Sequence, residues 1–381
     1  MKIALITSFF KPIGGQELVT KSLFNQLRNA GHTVYVITTR NAWLNSNSII
    51  TLETLRRIPE KLLIPGTPLT DYLIAINLAE KLRKIQPNII HVQDEYILPA
   101  VILANKLLSL PCVCSCHNNV SCFSNKSASS RERITTTIFK MRKKNYISCL
   151  KHVDAIISVS EYIKKELISV GVESTKITTI YNVHDFPDDM ENKGSPTSPK
   201  SNTVLFALGR LVWYKGFEVL IEAMKIISPK DSNIKLIIAG NGIELQHLKH
   251  LVATYKLEHS VSFTGKVSEI ELIKLYKEAD IVLLPSIFPD PAPLISMEAM
   301  YYGKPLIASN IGGIPESVNH GVNGFLVPPN DPKKTANAIL ELVNNPGLRY
   351  HMGKKGREEF EKKFSNDELI SRTLKLYQTQ L

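Results

Sequence analysis

The strongest constraint in this chain is a rhythm that occurs twice: a short run rich in isoleucine and valine, a turn, then a helical pattern. In the first half the apolar runs are Lys2 to Ser8, Thr33 to Thr38, Asn88 to Gln93, Cys112 to Ser115, Ala155 to Ser158 and Ile177 to Tyr181. Short, continuously apolar runs suit strands buried on both faces of a parallel sheet. Between them, Gln16 to Ala30 is a helical pattern stopped by Gly31, and Leu69 to Lys84 is one followed by Pro87, both residues that favour a helix end. From Pro187 to Asn202 the composition turns to Asp, Pro, Ser, Lys and Gly without apolar period, which reads as a linker. The rhythm then resumes: strand Thr203 to Leu208, helix Phe217 to Ile227, strand Ile234 to Ala239, helix Glu244 to Tyr255, strand Val261 to Thr264, helix Ser268 to Ala279, strand Ile281 to Leu284. Alternating βα order predicts an α/β protein with two Rossmann-like, doubly wound parallel-sheet domains. A length of 381 residues agrees with two cores rather than one. The expected layout is a first domain over 1–186, the linker over 187–202, a second domain over 203–360, and a C-terminal helix over 361–381 packing back on the first domain. Open α/β sheets bind ligands beyond the carboxyl ends of their strands, so the chemistry is expected on those loops, in a cleft between the domains.

Composition narrows the setting. The longest apolar runs, such as Ile97 to Ala104, are too short to span a bilayer. Ile3 to Ile6 reads as a first strand rather than a signal peptide, because the stretch is short and runs into Lys11 and Pro12. Five cysteines, four of them between Cys112 and Cys122, do not make a disulfide framework and point to a reducing cytoplasm. Cys112, Cys114, Cys116 and His117 alternate as one face of a strand does, so no metal site is expected from them. The net charge of +11 is concentrated between Lys126 and Lys151, where eight basic residues stand against Glu132 alone. The later part of that stretch has a helical pattern, with Ile134, Ile138, Met141 and Cys149 near one face. Such a surface suits an anionic membrane; the bland alternative is a solvated basic face. The expectation is a cytoplasmic protein with peripheral contact on the inner face of the cell membrane.

Two loops carry the chemistry. After strand Thr203 to Leu208 comes Gly209-Arg210-Leu211-Val212-Trp213-Tyr214-Lys215-Gly216. Two cations five residues apart, on a glycine-bounded loop between a strand and a helix, can close on a diphosphate. After strand Ile281 to Leu284 comes a loop holding Asp290, then Pro293 near a helix start, then Glu298 inside the helix. Proline is favoured in a first helical turn, and the amides of Leu294 and Ile295 would project from the helix N-terminus, where the dipole favours an anion. Amides for phosphate and carboxylates for hydroxyls describe a nucleotide-sugar site.

The spacing of Asp290 and Glu298 resembles the paired-acid signature of glycosyltransferase family 4, retaining enzymes of GT-B fold. Gly14-Gly15, His117, Ser158-Val159-Ser160, Ile180-Tyr181-Asn182, Gly265-Lys266-Val267, Gly303-Lys304-Pro305 and Gly312-Gly313-Ile314-Pro315-Glu316 agree with it. The resemblance implies that Arg210 and Lys215 hold and neutralise the donor diphosphate in place of a metal, so that no cofactor is needed. It implies that Glu298 binds ribose, that Asp290 contacts the transferred sugar, and that Leu294 and Ile295 donate backbone bonds. The loop from Gly265 to Val267 is expected beside the base, Gly14 and Gly15 near the diphosphate or acceptor, and His117 facing the donor sugar. The implied partners are a UDP- or GDP-sugar donor and a glycan or lipid-linked acceptor, in cell-surface polysaccharide or glycolipid synthesis. Retention by a covalent intermediate and by same-face attack both remain open. Two departures stand out: Asp290 replaces the usual Glu, one methylene longer, and Pro293 replaces a frequent glycine, removing an amide. Glu316 has no assigned role.

An NAD-dependent oxidoreductase or a sugar-nucleotide epimerase on the same scaffold is the alternative. Neither glycine pair gives the dinucleotide fingerprint, and no acid ends the second strand near Thr38. Nucleic acid is not an expected partner, because the basic segment has few interleaved aromatics and no known module.

Overall fold

The computed structural model describes residues 1–10, 14–42, 48–52, 68–120, 143–186 and 202–381. Contacts divide the chain into two compact units, Met1–Phe186 with Asn366–Leu381, and Pro187–Ser365.

The first unit holds β1 (Lys2–Phe10), β2 (Thr33–Ala42), β3 (Ile49–Thr51), β4 (Ile89–Val92), β5 (Cys112–Cys116), β6 (Ala155–Ser158) and β7 (Ile177–Thr179). They form one sheet in the order β3-β2-β1-β4-β5-β6-β7, every pair parallel. Ile3, Ala4, Leu5 and Ile6 of β1 are fully buried, as a central strand covered on both faces must be. The short strand β3 and the helix Leu98–Asn105 are additional to the elements legible in the sequence. The C-terminal helix Asn366–Gln378 belongs to this unit: Asn366 and Ser22 share Asp185, whose carboxylate also accepts from Asn25 and Gln26. Pro346–Lys363 is one helix, and the second unit runs on to Ser365.

The second unit repeats the plan with β8 (Thr203–Leu208), β9 (Ile234–Ala239), β10 (Val261–Gly265), β11 (Ile281–Leu284), β12 (Leu306–Ser309) and β13 (Gly324–Val327). Their order is β10-β9-β8-β11-β12-β13, again all parallel. Successive side chains of a strand point to opposite faces, and the core divides accordingly. Leu205, Ala207, Ile281 and Leu283 join one cluster with Leu220 and Met224 of the helix Phe217–Ile227. Phe206, Val282 and Leu284 join the other with Tyr276 of Glu269–Glu278 and Ala299 of Leu294–Tyr301. In each sheet the strand order reverses once, between β1 and β4 and between β8 and β11, and ligands of open α/β sheets bind at the carboxyl side of such a reversal.

Candidate functional site

In the second domain both motif loops leave the sheet at its reversal, one from β8 and the other from its neighbour β11. The first makes a short 3-10 turn over Trp213–Lys215 and ends at Gly216, whose φ of 71° is left-handed. Glycine is required there on two grounds: the conformation itself, and a Cβ that would stand 2.0 Å from the carbonyl oxygen of Pro285. Ile287 N–H donates to the Tyr214 carbonyl at 3.0 Å, so the two loops are tied backbone to backbone. Lys215 is thereby delivered to Asp290, and its Nζ makes an ion pair with Oδ2, the two side chains 22% and 12% exposed. On its other side Asp290 meets Gly312, where a Cβ would lie 2.6 Å from the Asp290 nitrogen, and Gly313 N–H donates to the Asp290 carbonyl at 2.8 Å. Arg210 is exposed and donates from Nη2 to the Tyr214 hydroxyl at 2.9 Å. It shares the loop with Lys215 but has its own partner.

The helix Leu294–Tyr301 starts immediately beyond. Pro293 is its N-cap rather than a first-turn residue, and its ring offers no acceptor, so no N-cap side chain caps the helix; Ser296 Oγ donates to the Pro293 carbonyl at 2.7 Å. The amides of Leu294 and Ile295 have no carbonyl one turn back within the helix to bind, whereas Ser296 N–H donates to the Pro293 carbonyl at 3.1 Å. Glu298 lies one turn inside, 5% exposed, and accepts from the Tyr276 hydroxyl. Tyr276 stacks on Tyr302 at 5.0 Å and meets Phe206 edge to face at 5.0 Å. Burial, followed by the Glu298 charge, pushes its phenol well above the usual range, which keeps it a donor. Gly265, at the end of β10, has a φ of 72° and accepts from Gly240 N–H at 2.8 Å; Val267 is partly buried and packs against the core cluster that includes Phe206. Glu316 ends a short turn, and its carbonyl accepts from Lys363 at 2.9 Å.

In the first domain, Gly14 is the uncapped start of the helix Gly15–Asn29, and the Gln16 side-chain amide donates to the Gln93 carbonyl. His117 follows β5, is 8% exposed, and has Nε2 3.3 Å from Gln93 Oε1. Burial pushes its pKa down to about 4, so the ring is neutral at neutral pH. The polar residues following β4 were not among the expected site residues, although they too leave the carboxyl end of a strand at the reversal. Asp94 accepts from Ser8 N–H at 3.3 Å and Tyr96 N–H at 2.8 Å, while burial raises its carboxyl. Burial, then the Asp94 charge, raises the Glu95 carboxyl to about 7, against lowering contacts from its own backbone and Asn118. An acid pair directly after an apolar strand was the signal available.

Cys112, Cys114 and Cys116 are all buried thiols in β5, with burial the leading cause raising Cys112 to about 12. Among the described residues, no group of three or more His, Cys, Asp or Glu could hold a metal ion, and no helix is long and apolar enough to cross a membrane. Most of the basic segment 126–151 lies outside the described residues; residues 143–150 are helical.

Two doubly wound sheets, with a cation, an acid and an open helix start gathered at the second reversal, define the architecture of GT-B glycosyltransferases. The family described as Glycosyltransferase Family 4 matches residues 13–186 and that described as Glycosyl transferases group 1 matches residues 188–359. Together they take in nearly the whole chain, which belongs to the glycosyltransferases of this family. An uncharacterized glycosyltransferase of Methanocaldococcus jannaschii is 28% identical over 400 residues, covering 99% of this chain and 98% of that relative. Among solved structures, sucrose-phosphate synthase of Thermosynechococcus elongatus has a TM-score of 0.83 at 23% identity, covering 99% of this chain and 98% of its own. Anabaena HepE in complex with UDP has a TM-score of 0.77 at 20% identity, covering 100% of both chains. The matches do not favour the oxidoreductase alternative.

Proposed function

We propose that this glycosyltransferase moves a hexose from a UDP- or GDP-sugar to a glycan or lipid-linked acceptor, with retention and without a metal or other cofactor. The observation that carries this reading is the ion pair of Lys215 and Asp290 at the sheet reversal, next to a helix start that no side chain caps. When the bond from sugar to phosphate breaks, positive charge grows on the ring and negative charge on the diphosphate. Lys215 and Arg210 would meet the second charge, joined by the Leu294 and Ile295 amides. A diphosphate drawing the ammonium group towards itself would leave the Asp290 carboxylate to accept hydroxyls of the transferred sugar. Glu298, held by Tyr276, would accept from ribose, with Gly265 and Val267 beside the base. Gly14, Gly15 and His117 would serve the first domain's side of the reaction. Same-face attack, in which the leaving phosphate takes the acceptor's proton, is the route the family resemblance implies. Support for a nucleotide-sugar donor comes from the same fold: HepE structures include complexes with UDP and with UDP-glucose.

The test is a thermal-shift panel of nucleoside diphosphates and their sugars, with and without chelator. A ligand at 100 times its Kd should stabilise by about 2.7 kcal/mol. Stabilisation by UDP or GDP that survives chelator is expected; no shift with any sugar nucleotide refutes the reading. A cytoplasmic protein resting on the membrane through Lys126 to Lys151, serving polysaccharide or glycolipid synthesis, belongs to the same proposal. Failure to pellet with anionic vesicles at low salt would remove that part.

A further inference from the structure

Side chains from separate stretches of the first domain form one buried chain of hydrogen bonds that ends at His117. The hydroxyl of Tyr377, on the C-terminal helix, lies 2.5 Å from Nδ1 of His91, with the rings edge to face at 5.6 Å. Nε2 of His91 lies 2.9 Å from the side-chain nitrogen of Gln93 and 2.8 Å from Ser115 Oγ. The side-chain oxygen of Gln93 lies 3.3 Å from Nε2 of His117. Tyr377, His91 and Gln93 are each no more than 1% exposed, and Nδ1 of His117 is buried with no partner among the described residues.

A glutamine amide has one end that only donates and one that only accepts, so this chain fixes where the protons are. The Gln93 nitrogen needs a bare Nε2 on His91, which puts the His91 proton on Nδ1, facing the Tyr377 oxygen. The Gln93 oxygen needs a proton on Nε2 of His117, which leaves Nδ1 of His117 a bare lone pair. Turning the amide over would reverse both rings and leave His117 with a buried Nδ1–H that has no acceptor. An orphaned donor is rarer in proteins than an underused acceptor, and an unmade buried bond carries the full desolvation cost. In the observed orientation the unmade bond falls instead on the Tyr377 O–H, which faces the protonated Nδ1 of His91 but whose hydrogen can rotate as a ring N–H cannot. Burial also keeps both rings neutral, with the His91 pKa lowered to about 3.

We propose that Tyr377, His91 and Gln93 are positioning residues that lock His117 in its Nε2–H tautomer and present Nδ1 as a bare acceptor for a ligand hydroxyl. The identity of that ligand rests on the glycosyl-transfer reading; the tautomer does not. The last helix of the chain, which contributes no strand and no motif loop, thus sets the hydrogen-bonding character of a residue at the end of β5.

Long-range proton–nitrogen spectra of the full chain labelled with 15N-histidine read each tautomer directly, with His117→Asn and His91→Asn supplying assignments. At pH 7.5 and without any donor sugar, His117 is expected as Nε2–H and His91 as Nδ1–H. A His117 ring in the Nδ1–H form, or averaging between the two forms, overturns the proposal. Tyr377→Phe keeps the buried ring but removes the acceptor for His91 Nδ1–H, so His91 should move towards Nε2–H and His117 should gain an Nδ1–H population. A folded Tyr377→Phe variant whose two ring patterns superpose on the wild type also overturns it. Neither spectrum depends on catalysis, so failure of sugar-nucleotide binding would sink the functional reading alone.

Discussion

Gly216 and Gly265 form a controlled pair for asking what holds the motif loops together. Their φ angles are 71° and 72°, so replacing either by alanine incurs the same left-handed penalty, about 1–2 kcal/mol for an L side chain. Their surroundings differ completely. A Cβ on Gly265 meets nothing within 4 Å, whereas one on Gly216 would stand 2.0 Å from the Pro285 carbonyl oxygen and 3.0 Å from Ile287 Cγ2. Those atoms begin the loop that carries Asp290 and cannot yield like the tip of a flexible side chain. Gly216→Ala should therefore add an overpacking cost of about 1–3 kcal/mol to the conformational one. The displacement should also part Lys215 from Asp290, and misplacing reacting groups by about 1 Å costs roughly a hundredfold in rate. Urea unfolding of both variants, alongside turnover and calorimetric binding of whichever sugar nucleotide stabilises the wild type, measures each part. Of the two stability losses, that of Gly265→Ala is expected to be the smaller, the conformational increment alone. Equal losses in the two variants, within about 0.5 kcal/mol of each other, would refute the claim that contact between the loops, rather than backbone conformation, requires glycine at 216.

Lys215→Ala removes one charge-stabilising donor, so turnover should fall by about a hundredfold with the fold retained; rates near wild type would take Lys215 out of the mechanism. Tyr276→Phe leaves the buried Glu298 carboxylate without the Tyr276 hydroxyl, and thermal unfolding should report a loss of about 1–3 kcal/mol; no loss would mean that bond is dispensable. Glu95→Gln should become more stable than the wild type as pH rises. The wild-type carboxyl titrates at about 7 when folded against a reference of 4.5, so its protonated form favours the fold below 4.5 and that advantage is lost as pH climbs through 7. The gain at pH 8 over pH 4.5 should be about 3 kcal/mol at most; a difference between variant and wild type that does not change with pH would show that Glu95 is not held protonated.

Much of the second domain was legible because its signals are local. The apolar runs of β8, β9 and β11 and the helix Phe217–Ile227 fall where the residue pattern put them. The first domain was less so. Its strand β3 has three residues, too few to show a period, and the helix Leu98–Asn105 is apolar nearly all round, which erases the stripe that identifies an amphipathic helix. Pro293 was placed one residue too far into its helix because proline is tolerated on both sides of the boundary, and the bonds around Ser296 decide.

By itself the sequence determined two βα domains and the short stretches that carry cations, acids and glycines, since strand period, helix period and turn residues act over a few neighbours. Only the tertiary structure decided that Lys215 meets Asp290 across 75 residues, that Tyr276 holds Glu298, and that Tyr377 reaches His91 across 286. Those pairings depend on which strands lie side by side and on how closely two backbones approach. Strand adjacency is a property of the packed sheet, and no local pattern of residues encodes it.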